Sequence, residues 1–179
     1  MSVAQKVRTA IVGASGYSGE ELVRLLLDHP HAELTAVTSR QYAGQTLAAV
    51  FPRFAGNPVA DSLQFIEPNV KALTKAAEVV FLALPHGVAA EFAEPLLAAG
   101  AKIIDLSADF RLNDAGVYKE FYGNPHPAPK LLAQSVYGMP ELHRDAIRDA
   151  NLIASPGCYP TSILLPTVPL LRAGLIKST

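Results

Sequence analysis

Val7-Arg8-Thr9-Ala10-Ile11-Val12-Gly13-Ala14-Ser15-Gly16-Tyr17-Ser18-Gly19-Glu20-Glu21-Leu22-Val23 decides the fold. Val7 to Val12 is a short apolar run that stops at a glycine, as a buried parallel strand does. A glycine turn follows. Glu20 to Asp28 then places Leu22, Val23, Leu26 and Leu27 on one helical face, and Pro30 ends the helix. A second strand spans Glu33 to Thr38. Strand, glycine turn, helix and strand within about thirty residues make a βαβ unit.

Working outward, Ser39 to Pro58 holds Gly44, Pro52, Gly56 and Pro58 and is expected to be mostly loop. Leu63 to Ile66 is a short strand, followed by a polar helix to Lys75. Val79 to Leu84 is a fully apolar strand that ends at Pro85-His86-Gly87. Val88 to Ala99 is helical, with Pro95 expected to kink it and Gly100 to cap it. Lys102 to Leu106 is another strand, Asn113 to Gln134 an irregular stretch, Glu141 to Asp149 a helix and Asn151 to Ala154 a last strand. Alternating apolar strands and helices specify an α/β fold, a doubly wound parallel sheet of the Rossmann type.

With 179 residues, half of them hydrophobic and 17% charged, the chain can bury a sizeable core and is too apolar for disorder. Lys plus Arg is 15 against 16 for Asp plus Glu, a formal net charge of -1 with no basic stripe, so no nucleic-acid partner is expected. One cysteine, Cys158, excludes an intramolecular disulfide framework and Cys-rich zinc sites. No apolar run reaches the ~18 residues that span a bilayer, and Met1 to Arg8 carries no signal-type apolar region, so a cytoplasmic protein without membrane contact is expected. No two histidines have the i, i+4 spacing of a zinc helix, and no metal is expected.

The glycine turn is the first candidate site. A dinucleotide pyrophosphate needs backbone N–H groups at a helix N-terminus and no Cβ where the chain nears the phosphates. Gly13, Gly16 and Gly19 are spaced G-x-x-G-x-x-G, with Ser15 where the common fingerprint has its middle glycine. Ser15, Tyr17 and Ser18 lie in the same turn. The competing reading is a tight turn with no ligand. At the end of the second strand stand Thr38-Ser39-Arg40 rather than a carboxylate. A hydroxyl and a guanidinium suit a 2′-phosphate, hence NADP(H), and the competing reading of Arg40 is an ordinary solvated arginine.

Leu84, Pro85 and His86 follow a strand at the same edge and are candidates for nucleotide contact, His86 equally for a polar turn residue. Arg111 could clamp a substrate phosphate, or pair with Asp105 or Asp109 and brace its loop. Cys158 lies between a strand and a helix, with Pro160 in the first turn. A helix N-terminus favours the thiolate, which can attack an acyl carbon; the competing reading is a buried structural cysteine.

Five segments together resemble the N-acetyl-gamma-glutamyl-phosphate reductases. They are Val12 to Gly19, Phe81-Leu82-Ala83-Leu84-Pro85-His86-Gly87, Asp105-Leu106-Ser107-Ala108-Asp109-Phe110-Arg111, Tyr137-Gly138-Met139-Pro140-Glu141-Leu142 and Pro156-Gly157-Cys158-Tyr159-Pro160-Thr161. The resemblance implies an enzyme of arginine biosynthesis. It implies an NADP-binding domain at 1–155, and at 156–179 the nucleophile loop and first helix of a second α+β domain, truncated in this chain. It implies attack of the Cys158 thiolate on the γ-acyl carbon, release of phosphate and NADPH-dependent reduction to the semialdehyde. Ser107 and Arg111 are the expected substrate contacts, the latter a phosphate anchor by analogy with aspartate-semialdehyde dehydrogenases. The family's catalytic histidine follows the cysteine, and no histidine here does, so 1–179 alone is expected to bind cofactor without turnover.

A homo-oligomer is expected of the complete enzyme, and Ile163 to Leu175 needs a partner surface, although a terminal helix packed on its own sheet is the other reading. Pro166 and Pro169 should kink that helix. The alternatives are a sister reductase for aspartyl phosphate or a carrier-bound aminoadipyl or glutamyl phosphate, a non-enzymatic NADP-binding regulator, and an interaction domain with no nucleotide affinity.

Overall fold

A computed structural model describes residues 5–177. Residues 1–4 and 178–179, the outer ends of the two expected segments, lie outside the described residues. The elements in chain order are β1 (Val7–Val12), α1 (Tyr17–Leu27), β2 (Ala32–Thr38), α2 (Leu47–Val50), α3 (Pro58–Ser62), β3 (Phe65–Ile66), α4 (Val70–Ala76), β4 (Val79–Leu82) and α5 (Ala89–Ala98). They continue with β5 (Lys102–Asp105), α6 (Ala115–Tyr122), α7 (Pro129–Leu132), β6 (Val136–Tyr137), α8 (Pro140–Asp149), β7 (Leu152–Ala154) and α9 (Cys158–Arg172).

The seven strands form one parallel sheet in the order β3-β2-β1-β4-β5-β7-β6. β1 is central, and its alternation feeds both faces. Ala10 and Val12 enter a core with Leu73, Val80, Leu82, Leu96 and Ile103, while Ile11 enters one with Val23, Leu26, Val37 and Phe65. The doubly wound sheet is therefore as expected, and its chain order reverses between β1 and β4. In such sheets that reversal opens a crevice at the carboxyl ends of the strands.

Local boundaries differ where packing overrides the pattern. α1 begins at Tyr17 rather than Glu20, since Gly16 is extended and caps it without a side-chain bond. Gly19 is thus helical and buried: a Cβ there would stand 2.4 Å from the Gly13 carbonyl oxygen and 2.6 Å from Ala14 Cα. The stretch expected as loop, Ser39 to Pro58, contains α2, a 3-10 turn at Pro52–Phe54 and the start of α3, which bring Leu47, Phe54 and Ala60 onto the core. Helices of four or five residues are too short to show a period.

α6 lies in the stretch expected to be irregular. Its signals were present: Asp114 accepts the Val117 N–H at 2.8 Å, and Gly123 ends the helix at φ 78°. α5 runs through Pro95 as one helix and ends in a Schellman turn, with Gly100 N–H on Leu97 O and Ala101 N–H on Leu96 O. α9 likewise runs through Pro166 and Pro169 as one helix from Cys158 to Arg172, and buries none of its residues. No helix among the described residues is long and apolar enough to cross a membrane.

Candidate functional site

The β4–β5 register pairs Leu82 with Asp105, and the β5–β7 register pairs Asp105 with Ala154. The turns after β4, β5 and β7 therefore line up along one sheet edge, beside the glycine turn after β1. The sheet topology alone brings together residues up to 145 positions apart, from Gly13 to Cys158.

The glycine turn and the end of β2 are tied to one another. Thr38 Oγ1 accepts the Gly13 N–H at 3.2 Å, Thr38 O accepts the Ala14 N–H at 3.1 Å, and Ser15 Oγ donates to Ser39 Oγ at 2.9 Å. Gly13 has φ 84°, and a Cβ there would meet the Ala83 carbonyl oxygen at 2.4 Å, so β4 closes on the turn only because this residue is glycine. With no side-chain cap on α1, its first-turn N–H groups are left for an anion.

These elements border a cleft of about 370 Å³. Ser15, Ser39, Arg40 and Gln41 form its polar side, and Pro68, Leu84, Pro85, Val88 and Phe92 its apolar wall. Arg40 is exposed, and no carboxylate among the described residues lies within 4.0 Å of it. A larger hollow of about 530 Å³ lies at the opposite edge, among Arg8, Glu78, Val79 and Lys102. Parallel sheets bind ligands at the carboxyl edge, which makes the smaller cleft the candidate site.

Of the expected cofactor residues, Gly13, Ser15, Ser39, Arg40, Leu84 and Pro85 line the cleft. Gly16, Tyr17 and Ser18 are exposed at the start of α1, with Tyr17 97% exposed. Gly19 acts in packing α1 onto the glycine turn. The His86 ring is taken up elsewhere. Its Nδ1 lies 2.8 Å from Asp109 Oδ1, its Nε2 lies 3.3 Å from the Tyr118 hydroxyl, and Tyr122 stacks on it at 4.4 Å.

Asp109, expected only as a candidate partner of Arg111, has a role that sequence reasoning missed. It is fully buried, and its carboxylate also accepts the Gly87 N–H at 2.7 Å and the Ala90 N–H at 3.3 Å. It therefore holds both the turn beside the cleft and the first turn of α5. A carboxylate four residues beyond a strand, in a turn at the ligand edge, was the available signal. Around it, burial pushes the Tyr118 hydroxyl up to about 12 and holds His126 below its usual range. His126 Nδ1 accepts the Ala128 N–H, leaving Nε2–H to donate to the Asp109 carbonyl at 2.9 Å.

Ser107, expected at the substrate, is 6% exposed, and its hydroxyl is spent inside its own loop. It donates to Asp105 Oδ2 at 2.8 Å and accepts the Asp109 N–H at 3.1 Å. Asp105 is fully buried, and burial raises its carboxyl to about 6 despite the Ser107 hydrogen bonds. Arg111 pairs with neither Asp105 nor Asp109. Its Nε donates to Ser155 O at 2.8 Å and its Nη2 to Leu106 O at 3.2 Å.

Cys158 is a free, exposed thiol and the first residue of α9, so the reading of a buried structural cysteine does not hold. Gly157 caps that helix at φ 87°. Pro160 sits in the first turn, where amide donors have no intrahelical acceptor.

Residues 8–150 match the family of the semialdehyde dehydrogenase NAD binding domain. An N-acetyl-gamma-glutamyl-phosphate reductase of Akkermansia muciniphila is 55% identical over 174 residues, covering 97% of this chain and 50% of its own. One of Desulfotalea psychrophila is 54% identical over 171 residues, covering 96% of this chain and 48% of its own. The chain spans about half the length of the curated relatives it matches. Among solved structures, aspartate semialdehyde dehydrogenase II of Vibrio cholerae, complexed with ASA, superposes with a TM-score of 0.67 at 22% identity, covering 94% of this chain and 47% of that one. At that identity the likeness is one of fold.

Proposed function

The chain belongs to the semialdehyde dehydrogenase family through its NAD-binding domain, and from that premise we propose that it is the cofactor and nucleophile half of an NADPH-dependent acyl-phosphate reductase. The substrate we assign is N-acetyl-gamma-glutamyl phosphate, the acyl phosphate in the names of its relatives at 54–55% identity. The observation that carries the reading is the exposed Cys158 thiol at a helix N-terminus, on the same sheet edge as the glycine-turn cleft.

The residues of the cleft fit a phosphorylated dinucleotide. Gly13 and the uncapped start of α1 offer amides to a pyrophosphate, the Ser15–Ser39 hydroxyl pair and Arg40 suit a 2′-phosphate, and Leu84, Pro85, Val88 and Phe92 give an apolar wall for a ring. When bound, the reduced cofactor supplies the hydride that the chain's own side chains cannot. The Cys158 thiolate attacks the γ-acyl carbon, a carbon–sulfur bond forms, the carbon–oxygen bond to phosphate breaks and phosphate leaves with the electron pair. Release of the aldehyde returns the thiolate. The His86 ring is engaged with Asp109 and Tyr118, so the general acid is assigned to the part of the relatives' length that this chain does not span.

The experiment is Cys158→Ser in the full-length enzyme. Turnover should collapse while NADPH titration stays normal, and mass spectrometry of the wild-type protein without NADPH should find an acyl adduct on Cys158. A serine variant with near-normal turnover refutes the reading.

A further inference from the structure

The loop from Asp105 to Arg111 touches both walls of the site. On the cofactor side, the Asp109 carboxylate holds His86, Gly87 and Ala90. On the other, the Arg111 guanidinium crosses to the turn that carries Cys158. Its Nε bonds Ser155 O, three residues before the thiol, and its Nη2 bonds Leu106 O in its own loop. It also lies flat against Gly157: a Cβ there would stand 3.0 Å from Nη1 and from Nη2, and 3.1 Å from Cζ. Arg111 is half-buried and makes these bonds with a planar fork of fixed geometry.

We propose that Arg111 is a positioning residue, which locks the Ser155–Gly157 turn to the β5 loop and so sets the line of attack of the Cys158 thiol. This rests on the nucleophile role given to Cys158 above. The physical case is one of stiffness. α9 buries none of its residues, so its own packing does little to fix its N-terminus. The restraints on the thiol come from the strand behind it and from this guanidinium, which is seated against the α-carbon of the helix cap. The two carbonyls take two of the five guanidinium N–H donors, so positioning is a role distinct from the phosphate anchoring expected from the sequence.

The test separates the two roles by a lysine. Lys keeps the positive charge, and as a point charge it can serve a phosphate, but it cannot bridge Ser155 O and Leu106 O while covering Gly157. Arg111→Lys and Arg111→Gln are assayed in the full-length enzyme, and alkylation of Cys158 by iodoacetamide is followed in the same protein by peptide mass spectrometry. Positioning predicts that both variants lose kcat by about 100-fold, the penalty of a small misplacement, while KM for the acyl phosphate changes little. Alkylation should slow roughly threefold to tenfold in both, as the thiol leaves its alignment with the helix N-terminus.

The proposal is overturned if Lys restores kcat and the alkylation rate while Gln raises KM for the acyl phosphate; Arg111 is then an anion anchor. It is equally overturned if neither variant alters kcat or alkylation. Failure of the underlying reading has a different signature, namely turnover surviving Cys158→Ser with Arg111 intact.

Discussion

The turns after β1 and after β7 use the same local design and meet opposite tertiary fates. Each leaves a fully buried strand end, Val12 or Ala154, and passes through a glycine at φ 84° or 87°, Gly13 or Gly157. Each then starts a helix aimed at the same sheet edge. After the first turn, α1 buries Gly19, Val23 and Leu26. After the second, α9 buries nothing, and Tyr159 and Ile163 are 79% and 58% exposed. The difference teaches that strand, glycine and helix suffice to deliver a helix N-terminus to a site, whereas holding it there needs an opposing surface. In the first turn the atoms that pack the helix are also those proposed to meet the cofactor. In the second the helix that carries the proposed nucleophile has little bearing on the stability of the sheet.

The sharpest way to break this contrast is Gly19→Ala. Its Cβ would enter backbone at 2.4–2.6 Å, which no side-chain rotation relieves, so α1 must move off the sheet. Overpacking of this kind costs about 3 kcal/mol or more, read as a large fall in melting temperature. Gly16→Ala is the control. Its Cβ would lie 3.6 Å from the Gly13 carbonyl oxygen, an ordinary contact, and the loss should be about 1 kcal/mol or less. Equal melting of the two variants would show that the third glycine is not a packing residue.

Next in size is Arg40→Asp, which exchanges an exposed guanidinium at the end of β2 for a like charge toward a 2′-phosphate. A charge-assisted hydrogen bond is worth roughly 1.5–3 kcal/mol, so NADPH affinity should fall at least about tenfold by fluorescence titration, with melting unaltered. Unchanged affinity would remove the case for NADP over NAD.

A smaller effect is expected from pH. Burial raises the Asp105 carboxyl from 3.8 to about 6, so the folded chain binds a proton that the unfolded chain has released. Stability from this group is present in acid and is lost as pH rises through about 6, roughly 1 kcal/mol from about pH 5 to about pH 7. His126, held low by burial, has the opposite sign, because its charging is what folding resists as pH falls. Denaturant unfolding of wild type and Asp105→Asn across that range isolates the carboxyl. The variant should lack the decline, and parallel curves would contradict the shift.

The smallest change in stability should come from the most drastic change in character, Ile163→Lys with Leu170→Glu on α9. Both sites are exposed, so unfolding should shift by no more than about 0.5 kcal/mol. Self-association, measured by sedimentation, should fall, since exposed apolar patches favour it. A large loss of stability would mean that α9 packs on the sheet after all.

Much of the fold was legible because its signals are local and periodic. β1 spans Val7–Val12 as read, and β2, β4, β5 and β7 fall within two residues of their expected limits. Buried parallel strands are continuous apolar runs closed by glycine or proline, and this chain has few competing patterns. α2, α3 and α7 are not legible because four or five residues cannot show a helical period, and α6 because the surrounding Tyr, Pro and His mask its caps, Asp114 and Gly123. The expected kinks at Pro95, Pro166 and Pro169 did not appear as breaks, since one missing donor leaves the neighbouring helical bonds in place.

The sequence by itself determined residue chemistry and helix-terminus geometry: glycines where no Cβ fits, a guanidinium in place of a carboxylate after β2, and a single thiol opening a helix. Each depends on neighbours within a few positions, where the backbone leaves little choice. Only the tertiary structure decided which of those groups are free to act. His86, Ser107 and Arg111 are all polar residues in edge turns and look alike as letters. Folding commits the first to a buried carboxylate, the second to its own loop and the third to the carbonyls of Ser155 and Leu106, while Arg40 and Cys158 remain exposed. Buried Asp109 and half-buried Arg111 must each find partners, and those partners, His86 23 residues away and Ser155 44 residues away, come into reach only when the sheet aligns the ends of its strands.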